Sequence, residues 1–138
     1  MAEMTRDEVN AWLDNGPRWI RLATNGRDGY PHVVPLGYFR IDDDIYLNMR
    51  GQRLANVKRD PKVCLVLDAG EGMGDLKGAV IQGDATVIED QAQVLELQRE
   101  GLRRRGVPED KLPTENRGRR PLVRVTPRKI ASWDNSKQ

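Results

Sequence analysis

Short apolar segments separated by turn signals recur roughly every ten residues along most of this 138-residue chain. Segments of strand length and apolar character cover residues 18–24, 30–40, 45–49, 63–67, 79–88, 122–126 and 129–133. Between them stand clusters such as residues 25–29 and 42–44, whose composition favours turns. Six or seven short strands with this spacing predict a small antiparallel barrel.

Several of these strands carry features that constrain their place in the sheet. Residues 30–40 contain Pro31 and Pro35, which lack an N–H and must face away from a neighbouring strand or lie at a bend. Gly83 within the longest strand predicts a bulge or a barrel corner. The continuous apolar run at 63–67 predicts a strand covered on both faces. The last two strands are predicted to form a hairpin joined at residues 127–128.

Three helices interrupt the strands. Thr5 and Glu8 form a capping box that predicts a short N-terminal helix, which ends at residues 15–17. A second short helix is expected over residues 51–59, and one longer helix from Asp90 to about Arg105. The fold class is therefore α+β and β-rich.

Length and composition exclude several classes of protein. The length predicts a single domain over residues 1–138. One cysteine and one histidine exclude an intramolecular disulfide framework and the common zinc sites. The net charge of +2 gives no global attraction to nucleic acid, and no apolar run is long enough to cross a membrane. The N-terminus lacks a signal pattern, so we expect a cytoplasmic protein without membrane or nucleic-acid partners.

The residues that most often carry chemistry are sparse. His32 is the single histidine, so no nucleophilic triad can be built, and a structural role on a strand is favoured over a general base. Cys64 stands between Val63 and Leu65, which predicts an inert buried thiol. The three aspartates at 42–44 are consecutive and point in different directions, so a solvated turn is favoured over a metal site.

A more informative pattern occurs where the strand at 45–49 gives way to the helix at 51–59. A glycine follows the strand, and Arg50, Gln52 and Arg53 surround the first turn of the helix. Free N–H groups at a helix N-terminus carry partial positive charge, and guanidinium groups beside them make a phosphate or polyanion site. The alternative is that these basic residues form ordinary solvated surface.

Three stretches carry a resemblance to a known family. They are residues 21–24 with 28–35, RLAT and DGYPHVVP; residues 45–63, IYLNMRGQRLANVKRDPKV; and residues 80–85, VIQGDA. In this order and spacing they resemble the pyridoxamine 5′-phosphate oxidase-like split barrels, the flavin and deazaflavin oxidoreductase superfamily. The ending at 125–134, VTPRKIASWD, is similar to that of small actinobacterial-type members.

The resemblance implies an antiparallel six-stranded split barrel that forms a homodimer. It also implies a flavin-type cofactor, FMN or the deazaflavin F-420, in a groove at the subunit interface. The cofactor-binding residues that it implies are His32, Val33, Val34, Pro35 and Leu36 along the ring and ribityl chain, Tyr46 and Leu47 at a strand end, Gln52 and Arg53 at the phosphate, and Lys77 or Gly78 on the next strand.

The chain also departs from the family pattern. The phosphate-gripping Arg–Lys pair of the family falls on Gln52 and Arg53, so one charge is missing, and Arg50 could replace it. No histidine follows Leu122, whereas the oxidase itself uses arginine and histidine there to hold its substrate. Vitamin B6 synthesis is therefore not expected. Trp133 is expected to have a structural role rather than a contact with the cofactor edge.

The function that the resemblance implies is an oxidoreductase that transfers hydride to or from a small organic molecule. The alternative is a non-catalytic module of the same fold that binds flavin or haem. Residues 99–120 hold eight basic and four acidic residues, and they form either part of a basic groove for the F-420 tail or a solvated face. Nucleic-acid binding is disfavoured because no aromatic residues are interleaved with those basic ones.

Overall fold

The computed structural model describes residues 2–137, which form three α-helices and seven β-strands. The helices are α1 Arg6–Asn15, α2 Gly51–Arg59 and α3 Gln91–Arg104. The strands are β1 Ile20–Asn25, β2 Pro31–Leu36, β3 Phe39–Ile41, β4 Asp44–Asn48, β5 Lys62–Ala69, β6 Lys77–Ile88 and β7 Leu122–Asp134. Within residues 2–137, no helix combines the length and the apolar character needed to cross a membrane.

All seven strands belong to one antiparallel sheet in the order β2-β1-β5-β6-β7-β4-β3. The two edge strands, β2 and β3, are joined by only two residues, Gly37 and Tyr38. Laid flat, a sheet of this width would hold its edges about 28 Å apart. The link from Leu36 to Phe39 spans at most about 11 Å, so the sheet must curl until its edges approach each other.

The β-rich α+β class is confirmed, but the sheet has seven strands rather than six. The segment at 30–40, expected as one strand, breaks at Gly37 and Tyr38 into β2 and β3. Tyr38 turns inward, where its side chain is buried and its hydroxyl donates a hydrogen bond to the Pro17 carbonyl at 2.8 Å. The break therefore lets the chain cross from one edge of the curled sheet to the other.

The hairpin expected at residues 127–128 is wrong, because residues 122–134 form the single strand β7. β7 pairs with β6 along its whole length, and the register shifts between Gln82 and Gly83, opposite Pro127. The bulge predicted at Gly83 is thus confirmed. Pro127 has no N–H to donate to the ladder. At the bulge the strand accommodates it, so the proline does not end β7.

The main core lies on the concave side of the sheet, beneath α1 and α2. β5 contributes Val63, Leu65 and Leu67, which are buried, while Cys64 and Val66 between them are only half-buried. The expectation that β5 is covered on both faces is therefore wrong for a single chain. Cys64 and Val66 lie on the outer face of the sheet, between the exposed Lys62 and Asp68.

The predicted helices α1 and α3 are confirmed together with their caps. The Thr5 hydroxyl accepts from the Glu8 N–H at 3.1 Å, and the Glu8 carboxylate accepts from the Thr5 N–H at 3.0 Å. The Thr5 N–H and the Lys137 ammonium lower the pKa of Glu8 to about 2. Asp90 caps α3 by accepting from the N–H groups of its first turn. Both starts were predictable because a cap depends on residues two or three apart.

The second helix is fastened to the sheet by a buried hydrogen bond. Asn56 of α2 donates through Nδ2 to the Thr24 hydroxyl of β1 at 3.0 Å. These two residues are the fully buried polar side chains recorded between residues 2 and 137. Leu54 and Val57 pack into the core beside them. Because an unpaired buried polar group costs more than a polar group in water, this pair specifies how α2 sits on β1.

We predict that Asn56→Ala lowers the free energy of unfolding by about 1–3 kcal/mol, because it leaves the Thr24 hydroxyl buried without its donor. Urea unfolding followed by circular dichroism measures the change. Lys58→Ala on the exposed side of the same helix is the control, with an expected loss below about 1 kcal/mol. Equal losses for the two variants would contradict the assignment.

Candidate functional site

The start of α2 lacks any side-chain cap. The chain leaves β4 at Asn48 and reaches Arg50, which stands at the N-cap position without a capping hydrogen bond. Gly51 then has φ +68°, a conformation that favours glycine, and the first turn carries no acidic residue. Across residues 2–137, no side chain accepts from the N–H groups of this first turn. The N-terminus of α2 therefore retains its donors and its partial positive charge.

Two arginines stand at this helix start without a partner in the described part of the chain. Arg50 is exposed, whereas Arg53 is half-buried and its Nε atom is fully buried without a hydrogen bond. A buried N–H of a guanidinium group without an acceptor is costly, so it indicates an acceptor supplied from outside the chain. Gln52 differs, because its Nε2 donates to Asn56 Oδ1 at 2.7 Å.

A cleft of about 660 Å³ opens between α2 and the turn that joins β1 to β2. His32, Gln52 and Asn56 line it, together with the turn residues 26–31 other than Gly29. The Nδ1 atom of His32 is buried and has no hydrogen-bond partner among the described residues. The structure thus brings His32 of β2 next to the predicted phosphate-binding helix, two features that are 20 residues apart in sequence.

The remaining β2 residues that the family resemblance implies divide between two faces. Val33 and Pro35 are exposed, with Val33 60% exposed, whereas Leu36 is buried in the core. Val34 is half-buried and packs against that core. Of these four residues, only the outward-facing Val33 and Pro35 are exposed in the single chain.

Tyr46 and Leu47 have buried side chains. Tyr46 stacks on Phe39 with ring centroids 5.2 Å apart, and its hydroxyl accepts from Arg124 Nε at 3.1 Å. Leu47 belongs to the main core. β3 begins at Phe39, which pairs with Tyr46, so the main chain of Leu47 and Asn48 has no β3 partner. What this segment can offer a ligand is its main chain.

Lys77 and Gly78 lie outside the residues that line the cleft. The Lys77 ammonium sits 4.6 Å from the centroid of the Trp12 ring, a cation–π contact with α1. The indole of Trp133 covers Gly78 so closely that a Cβ at this position would overlap it. The Trp133 indole thus packs on β6, and its own Nε1 is buried without a partner among residues 2–137.

Half of the eight basic residues at 99–120 form ion pairs. Arg103 pairs with Glu100 and Glu109, while Arg104 pairs with Glu100 and with Asp42 in the β3–β4 turn. The solvated, ion-paired face is therefore the better interpretation of this part of the segment. Asp42 and Asp43 form the expected turn, and Asp44 begins β4.

Cys64 is half-buried rather than buried, on the outer face of β5. Burial nevertheless raises the pKa of its thiol, which keeps it protonated and unreactive at neutral pH. Residues 2–137 contain no cluster of three or more metal-ligating side chains in position to hold a metal ion.

The residues that sequence analysis missed are Asn56 and the turn at 26–31. Asn56 occurs within the resembling stretch, and a polar residue in mid-helix among Leu54 and Val57 is the signal that could have identified it. The turn carries no comparable signal, because only the sheet register brings it opposite α2.

A model of the pyridoxamine 5′-phosphate oxidase family matches residues 5–134 of this chain. Among curated proteins, none matches significantly. The similar solved structures include a conserved hypothetical protein from Mycobacterium tuberculosis, which is 28% identical, with a TM-score of 0.85 over 97% of this chain and 87% of that one.

Two further solved structures show the same fold at lower identity. A FAD-binding protein from Mesorhizobium loti is 22% identical, with a TM-score of 0.68 and 95% of each chain covered. An F420 reductase is 20% identical, with a TM-score of 0.62 over 88% of this chain and 94% of that one. At these identities the likeness concerns the fold alone.

Proposed function

The chain belongs to the pyridoxamine 5′-phosphate oxidase family, and on that premise we propose that it is an oxidoreductase that uses FMN or F-420. It transfers hydride to or from a small organic substrate. The observation that carries the proposal is the uncapped start of α2, where the buried Arg53 Nε lacks an acceptor. Neighbours of the same fold described as a FAD-binding protein and an F420 reductase support a flavin or deazaflavin cofactor.

The start of α2 fits the phosphate group that both cofactors carry. The free N–H groups of the first turn and the macrodipole favour an anion at this position. Arg53 supplies a guanidinium fork with an unpaired Nε, and Arg50 adds a second positive charge where Gln52 offers none. Arg50 thus compensates for the charge that is missing at position 52.

The ring is proposed to lie along β2, next to the cleft lined by His32 and Gln52. When bound, the isoalloxazine or deazaflavin ring supplies the hydride chemistry. The chain's task is then to hold the phosphate, orient the ring and exclude water. This division of labour fits a sequence with one histidine and without a nucleophilic triad. The absence of histidine after Leu122 argues against pyridoxamine 5′-phosphate as the substrate.

We predict that Arg53→Ala weakens FMN binding by about 1.5–3 kcal/mol, because it removes a charged hydrogen bond to the phosphate. Quenching of flavin fluorescence in a titration measures the dissociation constant, and a parallel titration with F-420 ranks the two cofactors. Lys58→Ala removes one positive charge from the same helix and should change affinity little. If both variants bind FMN like the wild type, the phosphate does not lie at α2.

A homodimer is part of the proposal, and the outer face of the sheet supports it. Val66 of β5 lies opposite Val80 of β6, which lies opposite Ala131 of β7, so their side chains share one face. Ala131 is exposed in the single chain, and Val66 and Val80 are partly buried. Val33 of the edge strand β2, which β1 separates from β5, adds a side chain that is 60% exposed. Apolar outward residues on adjacent strands are typical of a protein–protein interface.

We predict that the wild type sediments as a dimer and that Val66→Lys shifts it to monomers, because a lysine would be buried against the second subunit. Sedimentation velocity measures the masses. Ala92→Lys on the exposed side of α3 is the matched control and should remain dimeric. A monomeric wild type would contradict the subunit-interface cofactor site.

The alternative is a flavin- or haem-binding module of the same fold without turnover. The two functions differ in whether the protein accelerates hydride transfer. We predict that, under anaerobic conditions, the protein speeds oxidation of reduced FMN or F-420 by at least one member of a panel of enones, quinones and nitroaromatic compounds. Arg53→Ala should abolish the acceleration at low cofactor concentration. Cofactor binding without acceleration by any acceptor would favour the module.

A further inference from the structure

A second cavity, of about 700 Å³, lies between the C-terminal ends of α1 and α3 and the link that joins β2 to β3. It shares no lining residue with the cleft beside α2, which lies at the other end of β1. The charged residues that line it are four arginines and one aspartate, Arg18, Arg40, Arg104, Arg105 and Asp14. The cavity is therefore strongly basic.

Two of the four arginines have acidic partners. Arg40 pairs with Asp14 at 2.6 Å, so the single acid of the lining is already engaged. Arg104 pairs with Glu100 at 2.8 Å and with Asp42 at 3.1 Å. The positive charges of Arg40 and Arg104 are thus compensated within the chain.

The other two arginines, Arg18 and Arg105, form no ion pair within residues 2–137. The Arg18 guanidinium lies 5.1 Å from the centroid of the Trp19 ring, and Arg105 donates through Nη2 to the Tyr38 carbonyl at 2.8 Å. A cation near a helix C-terminus can offset the macrodipole, but neither arginine donates to the last carbonyls of α1 or α3. Because each guanidinium has five N–H donors, most of theirs remain free for an anion.

A smaller cavity of about 250 Å³ adjoins the basic one, because Gly101 and Arg105 line both. Its other lining residues are three half-buried apolar ones and two amides, Phe39, Leu102, Pro113, Asn48 and Gln98. A basic cavity beside a largely apolar one is complementary to a ligand with an anionic group on an apolar body.

We propose that the two cavities together bind an organic carboxylate with a compact apolar body. The carboxylate accepts hydrogen bonds from Arg18 and Arg105, and the apolar body packs beside Phe39 in the smaller cavity. As the substrate class of the oxidoreductase, this assignment rests on the proposed function, because β2, along which the ring is proposed to lie, leads through Gly37 to Tyr38 in the cavity lining. As a binding site it does not depend on a cofactor.

The test uses three probes, titrated into the full chain and followed by isothermal titration calorimetry. Benzoate carries both features, benzamide is its uncharged counterpart, and acetate lacks the apolar body. The variants are Arg18→Gln and Arg105→Gln. Arg103→Gln is the matched control, because it removes the same charge from α3 at a position that lines neither cavity. Circular dichroism verifies that each variant is folded.

We expect the wild type to bind benzoate at least tenfold more tightly than benzamide or acetate. Arg18→Gln and Arg105→Gln should each weaken benzoate binding about tenfold and leave benzamide binding unchanged, while Arg103→Gln should match the wild type. If one variant fails to fold, the other variant and the comparison of probes on the wild type still decide. Equal binding of benzoate and benzamide, or benzoate binding of wild-type strength in a folded Arg18→Gln or Arg105→Gln, would overturn the proposal.

FMN and F-420 titrations on the same preparation separate this inference from the proposed function. If a cofactor binds and benzoate does not, the carboxylate site is overturned and the proposed function stands. If benzoate binds as expected and neither cofactor does, the site stands, whereas the proposed function fails together with the role of the site in substrate binding.

Discussion

The hydrogen bond between Asn56 and Thr24 is the interaction on which the candidate site depends. It ties the middle of α2 to β1, and β1 carries the turn that leads into β2. A helix held in this way presents its N-terminus beside the strand that contains His32. Because both groups are buried, misplacement of the helix would leave two unpaired polar side chains, which is a cost of several kcal/mol in order of magnitude. The site therefore combines a helix terminus and a strand with the turn that lines the cleft.

The curl of the sheet is the second constraint, and it determines which strand edges remain free. Gly37 and Tyr38 join β2 to β3 across the opening of the curled sheet, so the two edges lie near one another without pairing along their length. Prolines at 31 and 35 keep the β2 edge from accepting a further strand. Pro31 and His32 at the start of β2 line the same cleft as Gln52 in the uncapped first turn of α2.

The parts of the fold that were predicted correctly depend on local chemistry. The capping box at Thr5, the Asp90 cap and the bulge at Gly83 each involve groups within a few residues or a backbone property of one residue. The errors concern long-range pairing. Pro127 was expected to turn the chain. A register shift between β6 and β7 keeps β7 continuous there, and no residue close to Pro127 in sequence predicts that β6 is its partner.

The family resemblance implies a set of cofactor-binding residues, and the structure shows which of them are exposed and which are buried. Tyr46 proves to be a core residue stacked on Phe39, a contact that joins β3 to β4 and has no local signature. Conversely, Asn56 had no assigned role until its partner on β1 was visible.

The sequence by itself determined the class of fold, the helix starts, and a basic helix terminus suited to phosphate, because these follow from side-chain type at short spacing. The tertiary structure alone decided that His32 lies beside this terminus, that Asn56 reaches Thr24, and that the buried Arg53 Nε has no acceptor among residues 2–137. Each of these depends on strand register and on the curl of the sheet, which arise from contacts between residues far apart in the chain.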